Sequence, residues 1–254
     1  MHKVYGSKLN TLINYVARAS VPNTFLRLNF IATNQAWPGR REVFEKFIKE
    51  LPKPVSFLEI GTWFGEGSTE ILIDSLKRGS KLYLVDSWKK YVSQTDVKIG
   101  PLATSYMDDL AFPAMHNAVK KVFDAEANHT DISINLLRGK SEQVLADFKD
   151  SIFDVIYIDG SHYYSNVLSD IDAAKRLCKK DFSIICGDDL ESLPSPELVE
   201  FSKSNLEIDF VRNFHPGVLL AVSEHFEKVN MESGFWWVYC VNGRFTTYAP
   251  KIMA

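Results

Sequence analysis

Five short runs constrain this chain more than anything else in it. Val55–Ile60, Lys81–Val85, Ile132–Leu137, Phe153–Ile158 and Ser183–Cys186 are largely apolar at successive positions, not at alternate ones. A strand with one face in water alternates, whereas a strand covered on both faces does not. Between these runs lie stretches of helical length at Ser68–Lys77, Met115–Glu126, Ser141–Phe148 and Asn166–Cys178. Strands and helices in strict alternation, with helices available for both faces, specify a doubly wound α/β sheet with right-handed crossovers. Another helix is expected after Pro196. Val218–Val222 and Phe235–Val241 read as further strands, the second suited to a hairpin at a mixed sheet edge.

Residues 1–50 read as an N-terminal helical extension. Leu9, Leu12, Ile13 and Val16 recur at helical spacing, as do Val43, Phe44, Phe47 and Ile48 after a turn at Pro38-Gly39. Pro52 and Pro54 close that region, so the main domain is expected over 51–254. Residues 88–116 show no clean period and carry Gly100-Pro101, Asp108-Asp109 and Phe112-Pro113, which reads as an insertion over the sheet rim. A formal net charge of −3 argues against nucleic acid as a partner. With no signal peptide and no membrane-spanning run in the sequence, a cytoplasmic protein without a membrane partner is expected. The three cysteines include no CxxC and suit core thiols in a reducing compartment.

Two of the strands end in acid. Val155–Ile158 leads into Asp159-Gly160-Ser161-His162, and Ile184–Cys186 into Gly187-Asp188-Asp189. Side by side, they would bring three carboxylates and a histidine to one rim. Crowded carboxylates repel unless a cation or donors offset them, and oxygen ligands suit Mg2+ better than Zn2+. Asp159, Asp188 and Asp189 are therefore the candidate metal ligands. His162, with an ordinary pKa near 6.5, is the candidate proton acceptor beside Asp159. The bland alternatives are an N-cap role for Asp159, turn roles for Asp188 and Asp189, and a solvent-facing His162. Asp170 reads equally as a partner of this rim or as part of a solvated helix face. His116, His129, His215 and His225 show no metal spacing.

The first strand meets the loop Gly61-Thr62-Trp63-Phe64-Gly65-Glu66-Gly67-Ser68, with Glu59 inside the strand end. Three residues separate its first two glycines, so it is not the dinucleotide pattern GxGxxG. An amino-acid-like ligand suits it better, with Glu59 for orientation and loop N–H groups for a carboxylate. Asp86 ends the second strand, where an acid typically accepts ribose hydroxyls. The turn Gly139-Lys140-Ser141-Glu142 adds a third loop on the same side. Trp88 and Tyr91, just past Asp86, are placed to cover an adenine.

Together these residues resemble the class I S-adenosylmethionine-dependent methyltransferases. The Ile158-Asp159-Gly160-Ser161-His162-x-Tyr164 segment with Gly187-Asp188-Asp189 resembles their metal-dependent small-molecule O-methyltransferases, in particular the macrocin-type sugar branch. The resemblance implies a Rossmann-like, mostly parallel seven-stranded sheet finished by an antiparallel hairpin. It implies S-adenosylmethionine held by Glu59, Gly61, Thr62, Gly65, Ser68, Asp86, Ser87, Gly139, Ser141, Glu142 and Asp159. It also implies Mg2+ on Asp159, Asp188 and Asp189, catalysis by His162 and Asp159, and a hydroxylated sugar or polyketide as acceptor. Relatives of this kind are often homo-oligomers. Three alternatives stay open: a cofactor-binding protein without turnover, another reaction on the same scaffold, as in relatives named cephalosporin hydroxylases, and a nucleotide-sugar or dinucleotide enzyme, against which the glycine spacing and Glu59 argue.

Overall fold

The computed structural model describes residues 38–89, 107–128 and 131–249. The helix expected around Leu9–Val16, Tyr91, Gly100-Pro101 and His129 lie outside them. Strands β1 (Ser56–Ile60), β2 (Lys81–Asp86), β3 (Ser133–Arg138), β4 (Val155–Ile158) and β5 (Phe182–Gly187) run parallel. Strand β7 (Phe235–Val241) pairs antiparallel with β5, with β6 (Asn230–Glu232) and with a short β8 (Arg244–Thr246). The order is β3-β2-β1-β4-β5-β7-β6, the expected seven-stranded path, with β8 attached to β7 off that path.

Successive residues of each strand go to opposite faces, which is why the central strands β1, β4 and β5 are buried at nearly every position, while the edge strand β3 carries Ser133 and Asn135. Phe57, Leu82, Leu84, Val155, Tyr157, Ile184 and Cys186 point to one face. They pack under α1 (Pro38–Glu50), α2 (Ser68–Ser75) and α3 (Met107–Ala127) through Phe44, Ile48, Ile71, Leu72 and Val122. Leu58, Ile60, Ile156, Ile158, Ile185 and Val238 point to the other face. There they meet α4 (Ser141–Ala146), α5 (Tyr164–Leu177) and α7 (Pro216–His225) through Leu145, Val167, Ile171, Leu177, Val218 and Val222. Helix α6 (Pro196–Lys203) is capped by Ser195, whose Oγ accepts the Leu198 N–H at 3.3 Å. All three cysteines are free and buried, as expected of core thiols.

Three sequence expectations change. Val218–Val222 is not a strand but the centre of α7, with Pro216 in its first turn and every residue from Pro216 to Val222 buried. Burying Val or Leu contributes about 1.5–3 kcal/mol per side chain, and a helix enclosed all round gains this on every face. A five-residue apolar run carries no period that separates the two cases. The second change is in the insertion, where residues 107–116 belong to α3, which continues through Pro113. Ala114, Ala118, Val122 and Ala125 are buried at helical spacing, and that packed face overrides the Phe112-Pro113 break. The third is that Pro38 and Gly39 open α1 instead of forming a turn before it.

Strand register positions everything that follows. Ile60 pairs with both Val85 and Ile158, and Ile158 pairs with Gly187. Gly61, Asp86, Asp159 and Asp188 therefore reach one rim together, at the carboxyl ends of the strands. The order reverses between β1 and β4, the switch point where sheets of this kind open a ligand crevice.

Candidate functional site

The glycine loop after β1 is built around Asp86. One carboxylate oxygen accepts the N–H groups of Thr62 at 3.0 Å and Trp63 at 2.8 Å, and the other accepts that of Trp88 at 2.6 Å. Burial pushes the Asp86 carboxyl up, against the pull of these N–H donors. The acid read from sequence as a ribose acceptor thus also fixes the loop backbone. Gly61 has φ +98°, and a Cβ there would lie 1.9 Å from the Asp159 carbonyl oxygen. Only glycine allows the β1 and β4 loops to touch in this way. The Trp88 indole is buried and donates to the Trp63 carbonyl at 2.8 Å. Among the described residues, Thr62 Oγ1 and Trp63 Nε1 are buried without a hydrogen-bond partner. Unmet polar atoms in a glycine loop at the switch point fit a nucleoside cofactor.

Glu59 is fully buried, and the hydroxyls of Ser68 and Thr69 donate to its two oxygens, the second at 2.6 Å. Burial pushes its pKa to about 7. Ser68, expected at the cofactor, thus engages Glu59 directly. On the next strands, Gly139 N–H donates to the Asp86 carbonyl at 2.9 Å, and Ser87 Oγ accepts the Lys89 N–H at 3.3 Å. Ser141 hydrogen-bonds Asp170, and Glu142 faces solvent. Asp170 is 2% exposed, which rules out the solvated-face reading. Burial pushes it to about 7, and its Oδ1 has no partner among the described residues.

The acidic rim is as crowded as the sequence implied. Burial first, then Asp188 and Asp189, raise Asp159 well above the carboxylate range, while Tyr157 donates its hydroxyl to Asp159 Oδ2 at 3.1 Å. Burial and Asp189 push Asp188 to about 6, against Arg40. Asp189 would also be raised by burial, but His215, His162 and Arg40 around it hold it well below the usual range. Its backbone sits at φ +63°, turning its carboxylate among these groups. Arg40 of α1 lies 2.5 Å from Asp189, 3.1 Å from Asp188 and 3.0 Å from Glu191.

His162 is more constrained than a surface histidine. Its Nε2 lies 3.0 Å from Asp189 and its Nδ1 2.8 Å from Asp209. Burial alone would favour the neutral ring, yet the charges of Asp209 and Asp189 raise its pKa well above the ordinary value. His215 packs edge-on against it, with ring centroids 4.4 Å apart, and places Nδ1 2.9 Å from Glu191. His215 arrives because α7 abuts the β4–α5 loop: a Cβ on Gly217 would lie 2.2 Å from the His162 carbonyl. Asp209, Glu191 and Arg40 were not singled out by sequence reasoning, and His215, set aside there for want of metal spacing, is brought by the fold into a group with His162 and Asp189 that could hold a metal ion. Only His215-Pro216-Gly217 carries any local signal, a helix start with a close-approach glycine. Five carboxylates against one guanidinium and two imidazoles suit a divalent cation.

A family described as a methyltransferase domain matches residues 58–190, 133 of the 254 residues. No functionally curated protein matches the sequence. Among solved structures, one assigned as an O-methyltransferase from Klebsiella pneumoniae superposes with a TM-score of 0.52 at 15% identity, covering 91% of this chain and 96% of that one. One assigned as a caffeoyl-CoA O-methyltransferase from Staphylococcus aureus gives 0.50 at 12%, covering 91% and 98%. An O-methyltransferase from Bacillus cereus, solved with S-adenosylhomocysteine, gives 0.47 at 16%, covering 91% and 97%. For the first two, at these identities, the likeness is one of fold. No helix among the described residues is long and apolar enough to cross a membrane.

Proposed function

The chain belongs to the methyltransferase family matched over residues 58–190, and from that premise we propose that it transfers the methyl group of S-adenosylmethionine to a hydroxyl of a small molecule. A sugar, polyketide or related metabolite is the acceptor proposed, and a divalent cation, Mg2+ by the sequence expectation, assists at the acidic rim. One observation carries the reading. The glycine loop after β1 and the acidic loop after β4 touch at Gly61 and Asp159, so a cofactor in one lies beside an acceptor at the other.

When bound, S-adenosylmethionine supplies a sulfonium-activated methyl group, and a divalent cation lowers the cost of forming an alkoxide. The residues of this chain do the positioning. Asp86 holds the backbone of Thr62 and Trp63, so their loop meets the ligand already ordered. Glu59, behind Ser68 and Thr69, supplies negative charge under the loop for the cofactor's amino group. Gly139, Ser141, Glu142 and Ser87 flank the adenosine side. Asp159 and His162 are the two groups on the rim proposed to take the hydroxyl proton, and Asp188 and Asp189 share the cation's charge. Arg40 supports an acceptor-side role for the N-terminal extension, because it brings α1 directly onto the rim.

Calorimetric titration of S-adenosylmethionine into the purified chain tests this. One bound equivalent, displaced by S-adenosylhomocysteine, followed by methylation of a hydroxylated acceptor, is the expected result. Binding of NAD in its place would overturn it.

A further inference from the structure

Which side chains hold the cation is a separate question, and its answer rests on the metal-assisted reading above. Asp189 has two sides. Its Oδ1 faces Arg40 at 2.5 Å and its Oδ2 faces His162 Nε2 at 3.0 Å. Arg40 also reaches Asp188 at 3.1 Å. A guanidinium so placed already occupies the face that Asp188 and Asp189 share, where an all-oxygen site would need its Mg2+.

Two imidazoles also converge on Asp189, His162 with Nε2 3.0 Å from Oδ2 and His215 with Nδ1 3.7 Å from Oδ1. His162, His215 and Asp189 each present a ligand atom, all within 4.8 Å of one another. Each ring is also held by a second carboxylate. Asp209 lies 2.8 Å from Nδ1 of His162, and Glu191 lies 2.9 Å from Nδ1 of His215. Glu191 also accepts the His215 backbone N–H at 3.2 Å, fixing the residue as well as its ring. For His162, donating Nδ1–H to Asp209 leaves Nε2, the nitrogen that faces Asp189, as the ligand atom, the usual arrangement behind a metal-bound histidine. The 3.0 Å between His162 Nε2 and Asp189 Oδ2 matches two ligands at right angles on bonds of about 2.1 Å.

We propose that His162, His215 and Asp189 ligate a divalent transition-metal ion, oriented by Asp209 and Glu191, while Arg40 neutralises Asp188 alongside. Two imidazole nitrogens favour Mn2+, Fe2+, Co2+ or Zn2+ over Mg2+, which takes oxygen ligands. With Nε2 on the cation and Nδ1 on Asp209, His162 serves as a ligand in place of the proton-accepting role shared above, and Asp159 alone is left beside the acceptor to receive its proton. The remaining coordination positions are available to the acceptor's hydroxyl oxygen.

The test is metal binding itself. Full-length protein, stripped with chelator, is titrated with Co2+ by visible absorption and with Mg2+ by calorimetry. S-adenosylmethionine binding is measured on the same samples. One Co2+ per chain is expected, bound at least about tenfold more tightly than Mg2+. His215→Ala and Asp209→Asn should each weaken Co2+ by about 10–100-fold, while Asp159→Asn changes it little. Should His215→Ala fail to fold, His215→Gln keeps volume and polarity without the ring. Mg2+ binding as tight as Co2+, abolished by Asp159→Asn and indifferent to His215, overturns the assignment in favour of the carboxylates. A folded wild type that takes up neither ion reduces the cluster to an ion-pair network and overturns it too. Co2+ binding without S-adenosylmethionine binding leaves the ligand set standing and removes the methyl-transfer reading.

Discussion

Asp170→Asn should stabilise the protein, and only above mildly acidic pH. Asp170 sits on α5, buried between the Gly160 and Ser141 loops, with one oxygen unpartnered among the described residues. Burial raises its pKa from 3.8 to about 7. The sign follows from linkage. Below about pH 4 the carboxyl is protonated both folded and unfolded, and its ionisation costs the fold nothing. As pH rises the unfolded chain loses the proton first, and stability falls until the folded group has also ionised. A rise from 3.8 to about 7 corresponds to a loss of about 4 kcal/mol. Asparagine cannot ionise, so its advantage over aspartate should grow from about zero near pH 4 to as much as about 4 kcal/mol by pH 7. An amide N–H without an acceptor would subtract about 1–3 kcal/mol equally at every pH. Urea unfolding of both proteins across this range measures the difference. A gap in midpoint that does not change with pH would refute the argument, because burial would then not be holding the proton.

Asp86→Asn removes the charge from three N–H bonds, each worth about 1.5–3 kcal/mol to an ionised acceptor; S-adenosylmethionine affinity should drop at least about tenfold by calorimetry. Glu59, pushed to about 7, presents more negative charge as pH rises through that value. Cofactor affinity should therefore increase between about pH 6 and pH 8, and Glu59→Gln should flatten the increase. Gly61→Ala would set a Cβ 1.9 Å from the Asp159 carbonyl at φ +98°; a loss of several kcal/mol in urea unfolding, and of cofactor binding, is expected.

The strand runs, the glycine loop and the acids at strand ends are all readable in the sequence by itself. Each is a local pattern: two covered faces erase the alternation of Leu58, Ile156 and Ile185 with their neighbours, and a left-handed turn demands Gly61. Where a pattern is short or symmetric, only tertiary structure decided. Val218–Val222 became a helix because a space between α5, α6 and the sheet could bury it on every side. Residues 107–116 became helix because they continue the buried face of α3, on which Ala118 packs against the Gly65 loop and Val122 and Ala125 join the core. Sequence separation explains the rest of the rim. His162 is 47 residues from Asp209, and Arg40 is 149 from Asp189. Charges that far apart in the chain leave no local trace of their pairing, so folding alone could show which nitrogen of His162 faces which carboxylate.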